Sequence, residues 1–230
     1  MGQFLKINRN DKCKVFVWSD IHEKHSKDFI LNPRSFTSVE HAQKETRKRW
    51  NDKVTNDDIG FLLGDTVVGA GTEGQKVFTE LLYSLNFKEL YVMGGNHPSG
   101  WSHIVQKLRS ENIFPDEHWR YKWQLNDNKI VYLIPNYFEI VIEGQIVIMS
   151  HYPILSWNKM GDKHSPAFML YGHVHNNLRK TEWIRNNYMK GKNHDLSIES
   201  SPDPLEFAEI QEIMRPKKVL HVDHHGPETI

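Results

Sequence analysis

Five short apolar runs each end in a small polar motif, and this pairing constrains the chain more than any other feature. The runs cover residues 15–18, 59–63, 90–93, 146–149 and 168–171. They lead into Asp20-Ile21-His22, Gly64-Asp65, Gly95-Asn96-His97, Ser150-His151-Tyr152-Pro153 and Gly172-His173-Val174-His175. Apolar, β-branched-rich runs of this length read as buried strands. Ligands of open α/β sheets bind just beyond the carboxyl ends of strands. Five strand ends therefore deliver two Asp, one Asn and five His toward one edge. Such a mixture of carboxylate, amide oxygen and imidazole suits two divalent transition metals. A metal pair is a known device for turning water against a phosphate ester.

The ordered set D-x-H, G-D, G-N-H, H, G-H-x-H resembles the calcineurin-like metallophosphoesterase superfamily, from about Val15 to Asn176. The pattern is most similar to the small phage and bacterial metallophosphatases. Their first motif often continues to a further histidine, as His25 does here. They also carry His-Tyr-Pro followed by Ser-Trp, as at His151-Tyr152-Pro153 and Ser156-Trp157. One such motif arises by chance in many proteins; five in order are specific.

The resemblance implies an α/β fold, a four-layer α-β-β-α sandwich with two mixed β-sheets and a metal site at the strand C-terminal ends. It implies that Asp20, His22 and His175 hold one metal, that Asn96, His151 and His173 hold the other, and that Asp65 bridges both. Two divalent ions are the expected cofactors. Manganese comes first, with iron, zinc or nickel also suited, since similar N/O sites select largely by availability. A metal-bridging hydroxide would attack phosphorus in line. His97 would face substrate, stabilising the transition state or protonating the leaving oxygen. Two departures stand out. Pro98 occupies the place where the superfamily commonly has an acid that orients the histidine. Thr66 follows Asp65, without the Arg-bearing continuation of the protein Ser/Thr phosphatases, which disfavours a phosphoprotein substrate.

A lone histidine is more often structural than functional. Of the 14 in the chain, His41, His103, His118, His194, His221, His224 and His225 lie in no motif and read as structural. His25 and His164 stand between the two classes, and His25 is a possible substrate-site residue. Trp101, Tyr152, Trp157 and Tyr171 lie near the motifs, and Trp157 is the best candidate for a ring facing substrate. Cys13 reads as a small buried hydrophobe.

The 230 residues suit a single domain over 1–230 with a C-terminal tail at 215–230. Formal net charge is zero, with 29 basic and 29 acidic residues, so no overall basic field points to long nucleic acid. The expected partner is a small phosphate ester; nucleic acid is possible but not favoured. The densest basic stretch is Lys44, Arg47, Lys48, Arg49 and Lys53. It reads as a solvated helix face with Glu40–Lys44 and Glu45–Arg49 pairs, on which charge reversal at Arg47 and Lys48 is expected to be tolerated. One cysteine fits a reducing compartment. The start of the chain lacks the apolar core of a signal peptide, and no run reaches the ~18 apolar residues of a membrane span. A cytoplasmic protein is expected, of the cell or of a phage host. Two alternatives remain open. One is a nuclease or cyclic-nucleotide phosphodiesterase; the other, of a different class, is an inactive protein-binding scaffold on the same fold, although no metal ligand is missing.

Periodicity and turn signals predict helices over 38–54, 73–85 and 99–112. Capping boxes are expected at Thr37/Glu40 and Thr72/Gln75. From residue 120 the pattern becomes short alternating runs over 120–125, 129–134, 138–142 and 145–149, joined by hairpin turns. Further strands are expected at 180–189 and 196–199. Asp203-Pro204 with Glu206 should open a last helix ending near Met214.

Overall fold

Alternation along the apolar strands creates three separate cores, and the layers follow from them. The computed structural model describes residues 4–8, 13–69 and 71–221. One sheet has the order β1 (Leu5–Ile7), β7 (Tyr137–Ile142), β8 (Gln145–Ser150), β9 (Phe168–Tyr171), β10 (Asn193–Asp195). The other runs β11 (Leu205–Glu206), β2 (Val15–Trp18), β3 (Ile59–Leu62), β4 (Glu89–Met93), β6 (Lys129–Ile134), β5 (Tyr121–Asn126). Both are mixed: β2, β3, β4 and β6 pair in parallel, whereas β5 and β11 run antiparallel to their neighbours. In the first sheet only the β7–β8 pair is antiparallel.

Successive strand residues face opposite sides. Phe16 and Trp18 of β2, and Leu90 and Val92 of β4, join a core with residues of α2 (Val39–Lys53), α3 (Gly71–Ser84) and α4 (Ser99–Ser110). Their neighbours Val15, Val17, Tyr91 and Met93 face the other way, against Val147, Met149 and Leu170 of the opposite sheet. Ile146 and Ile148 of β8, with Met169 and Tyr171 of β9, pack outward onto Trp157, Tyr188 and α5 (Glu182–Asn186). The result is a layered α/β sandwich of helices, sheet, sheet and a thin helical cover. The short α1 (Asp28–Leu31) lies beside the motif edge, and α6 (Phe207–Met214) closes one flank of the inter-sheet core. No described helix is long and apolar enough to cross a membrane.

Several local expectations shift. The cap of α2 is Ser38, whose side chain accepts from the His41 N–H, rather than Thr37. Helix α3 begins at Gly71, so Thr72 lies inside it and does not cap it. The stretch at 180–189 is not a strand but α5 flanked by two single 3₁₀ turns. Its Trp, Ile and Tyr carry β propensity, yet Ile184 and Tyr188 are four residues apart and pack on the same core, a helical spacing that wins. The next strand is β10 rather than 196–199. Asp195 ends it by accepting the Ser197 N–H at 2.9 Å, an Asx-type turn. Glu206, not Asp203, caps α6 in a reciprocal box with Glu209. Cys13 is half-buried at the rim of the inter-sheet core. Of the expected tail, residues 215–221 lie along the β10 side, where Lys218 bridges Gly191; the remainder, with His224 and His225, falls outside the described residues.

Candidate metal centre

Every motif sits where a strand stops. Asp20 and His22 follow β2, Asp65 follows β3, Asn96 and His97 follow β4, His151 follows β8, and His173 and His175 follow β9. Five of these residues have left-handed backbones: Asp20 (φ 58), His22 (φ 53), Asp65 (φ 48), His173 (φ 69) and His175 (φ 47). Such conformations cost a non-glycine residue about 1–2 kcal/mol each and persist only where surrounding contacts enforce them. Those contacts are present. His22 N–H donates to Asp65 O at 2.9 Å and Glu23 N–H to Thr66 O at 3.0 Å, continuing the β2–β3 pairing past the strands. Gly172 N–H donates to His151 O at 3.1 Å and ties β9 to β8 in the same way.

The side chains converge in two sets. Asp20 Oδ1, His22 Nε2 and His175 Nε2 form a triangle with edges of 3.6, 3.2 and 3.6 Å. Asn96 Oδ1 lies 2.8 Å from both His151 Nε2 and His173 Nδ1. Asp65 stands between the sets, with Oδ1 3.5 Å from His151 Nε2 and Oδ2 3.7 Å from His22 Nε2. Atoms bound to one cation at about 2.0–2.2 Å stand roughly 3.0–3.5 Å apart. The spacings around each set match that closely enough for a shared ion. Asp20 supplies a second test of fit. Its Oδ2 accepts from Ser19 Oγ at 2.7 Å and from the His173 N–H at 2.8 Å. Its Oδ1 is fully buried and has no hydrogen-bond partner. An orphaned buried carboxylate oxygen is costly unless a cation meets it.

Outer contacts fix the ring orientations. His151 Nδ1 lies 2.9 Å from Leu63 O, which leaves Nε2 as the free lone pair. His175 Nδ1 lies 2.8 Å from Glu199 Oε1, and Arg34 Nε donates to that same oxygen at 2.8 Å. Arg34 also donates to Ile21 O at 3.0 Å, so one buried guanidinium ties the first motif to the last. Asn136 clamps the third motif, accepting from Gly95 N–H at 2.9 Å and donating to Gly95 O at 3.2 Å. Gly95, at φ 73, has no room for a side chain, because a Cβ there would overlap the Asp65 carboxylate. Gly172 is equally obligatory, since its Cβ would overlap Ser19 Oγ and Asp20 Oδ2.

The electrostatics agree with a ligand role. Burial disfavours the Asp20 carboxylate, but His22 and His175 overcome it and hold the group well below the usual range. Burial pushes the His22 pKa down, and burial together with His151 does the same for His173, so both present neutral imidazole. His175 loses from burial yet ends raised, because Glu199 and Asp20 surround it.

A cleft of about 710 Å³ opens over both sets and is also lined by His25 and His97. His97 is exposed, its ring edge-on to His22 at 5.7 Å, and its backbone N–H donates to Asp65 Oδ1 at 2.8 Å. That contact ties the Asn96-His97 loop to the Asp65 carboxylate, with Pro98 following His97. Trp157 does not face the cleft: it is 5% exposed and donates to Ala167 O at 3.0 Å, which corrects the sequence expectation. The segment before it is a loop, as the sequence suggests, but the ring is drawn under β8 and β9 by their outer face. Tyr152, 41% exposed, lies edge-on to His173 at 4.7 Å and is the aromatic that accompanies the ligands. His164 is exposed in a turn closed by Asp162 and is not among the cleft residues. Arg34, Asn136 and Glu199 were not legible in sequence, since no motif marks them and only the folded topology brings them together.

The basic face of α2 is also different from expectation. Arg47 pairs with Glu23, which in turn accepts from Gln43 at 3.1 Å. Lys48 pairs with Asp52, Lys53 with Glu209, and Arg49 donates to Pro202 O while lying over Phe36. Arg47 therefore buttresses the loop that carries His22, and reversing its charge is expected to cost stability.

No protein-family profile matches the chain. An uncharacterized protein of Methanocaldococcus jannaschii is 34% identical over 84 residues, a match spanning 36% of this chain and 46% of that protein. The crystal structure of a protein of unknown function from Aquifex aeolicus superposes with a TM-score of 0.56 at 16% identity, over 87% of this chain and 99% of that one. The latter likeness establishes a shared layered α/β fold.

Proposed function

We propose that this chain is a dinuclear metal-dependent phosphoesterase, acting on small phosphomonoesters or phosphodiesters in the cytoplasm, and that it is a calcineurin-like metallophosphoesterase. The observation that carries the reading is Asp65, whose two carboxylate oxygens face two different donor sets. Asp20, His22 and His175 would hold one divalent cation and Asn96, His151 and His173 the other, with manganese the first candidate. When bound, such a pair supplies Lewis acidity toward phosphate oxygens and lowers the pKa of coordinated water. The residues themselves position the reaction. Glu199 and Arg34 orient His175, Leu63 O orients His151, and Asn136 fixes the Asn96 loop. His97 is exposed at the cleft and outside both donor sets, and would protonate the departing ester oxygen. A nuclease grip along α2 is disfavoured, because Arg47 is tied to the buried Glu23 while Arg49 and Lys53 are engaged by Pro202 O and Glu209.

One pair of variants tests the division of labour. His97→Ala should keep both metals and lower kcat by about 10²–10⁴-fold, the range of a lost general acid. Asn96→Ala should instead weaken metal binding and recover in part with excess manganese. Metal loss in His97→Ala comparable to that in Asn96→Ala would overturn the assignment.

A further inference from the structure

The cleft over the candidate metal centre has far more room than a phosphate group needs, and its two outer walls differ in chemistry. One wall comes from the 28–34 segment and contributes Phe29, Ile30 and Pro33. The other comes from the segment after His175 and contributes Asn176, Asn177 and Lys180. Phe29 is the unusual member. It is 70% exposed, although its neighbours Ile30 and Leu31 are buried. Burial of those two anchors α1, so the Phe29 ring is held out over the cleft by a fixed turn. A row of rings connects it to the reacting centre: His22 and His25 meet edge-on at 5.6 Å, and His25 and Phe29 edge-on at 5.4 Å. An exposed aromatic face at the end of such a row is a stacking platform. Elsewhere in the lining, the Asn177 amide and the Lys180 ammonium are exposed donors suited to hydroxyl or phosphate oxygens.

Resting on the phosphoesterase reading, we infer that the preferred substrates are phosphate esters bearing a planar aromatic group, with a nucleobase as the occupant of the Phe29 wall. The phosphate lies against the donor sets, the ring stacks on Phe29, and the intervening sugar faces Asn177 and Lys180. Phe29 is thus a specificity residue, remote from the ligands. Its side chain is largely in solvent, so its replacement does not threaten the fold.

The test compares kcat/KM for a nucleoside monophosphate ester, an aryl phosphate ester and an alkyl phosphate ester such as glycerol phosphate, in wild type, Phe29→Ala and Phe29→Trp. Wild type should prefer the two ring-bearing esters over the alkyl ester. Phe29→Ala should reduce that selectivity ratio by about tenfold, the scale of one lost base–aromatic stack, and Phe29→Trp should retain it. Calorimetric binding of adenosine monophosphate to the manganese-loaded protein should weaken by a similar factor in Phe29→Ala. A selectivity ratio unchanged by Phe29→Ala, or a wild type indifferent to the ring, overturns the inference while leaving the phosphoesterase reading intact. A preference for the aryl ester alone reassigns the wall from nucleobase to simple arene. Failure to hydrolyse any of the three esters strikes the phosphoesterase reading itself, and the calorimetric arm then decides the Phe29 site independently.

Discussion

Asp65→Asn is expected to lower phosphate-ester turnover by about a thousandfold or more, beyond the 10–100-fold typical of an outer-shell change at a metal site. Among the described residues, Asp65 is the side chain whose oxygens face both donor sets, and its Oδ1 also receives the His97 N–H. Replacing one oxygen by an amide nitrogen removes a ligand atom and the whole negative charge that the two sets would share. Metal analysis of the purified variant should find clearly fewer than two ions per chain, with the remaining ion bound more weakly. Normal turnover with full occupancy would refute the bridging role. Replacing a residue on only one set, such as His175, should be less damaging because the other set stays complete.

The second large effect lies in stability. Glu23 is one residue beyond His22, and its side chain is 1% exposed against an Arg47 side chain that is 30% exposed. Burial pushes the Glu23 carboxyl upward even with Arg47 beside it. Arg47→Ala strands that carboxylate in the interior with only Gln43 as partner. Removing one member of a buried pair costs more than the pair was worth, and partial exposure of Arg47 moderates the loss to about 2–3 kcal/mol. Chemical denaturation would read this directly. Adding Glu23→Gln to Arg47→Ala should recover most of it, because the uncompensated charge is gone. A cost below about 0.5 kcal/mol would return Arg47 to the solvated face first expected for it.

What was legible in the sequence follows the range of the interactions. The strands and their loop motifs were readable because each couples a local apolar run to a local polar motif. Asp20, His22, Asp65, Asn96, His151, His173 and His175 come together as two adjoining sets for that reason. The layered sandwich was expected from the resemblance that those motifs carry. The failures were of two kinds. The 180–189 stretch and β10 were misread where aromatic and β-branched composition competed with spacing, and there the outer core and the Asp195 turn decided. Arg34, Asn136, Glu199 and the Arg47–Glu23 pair were invisible because they act across long sequence separations. Trp157 was misplaced for a related reason: a ring after His151 is close to the site in sequence but lies on the outer face of its sheet.

The most direct measurement combines metal stoichiometry with turnover on one preparation. Protein stripped by chelator and titrated with manganese should bind two ions per chain. Hydrolysis of a small aryl phosphodiester should be absent in the stripped protein and return as the second ion binds. Saturation at one ion or none, or hydrolysis that survives complete chelation, would contradict a dinuclear centre at these residues.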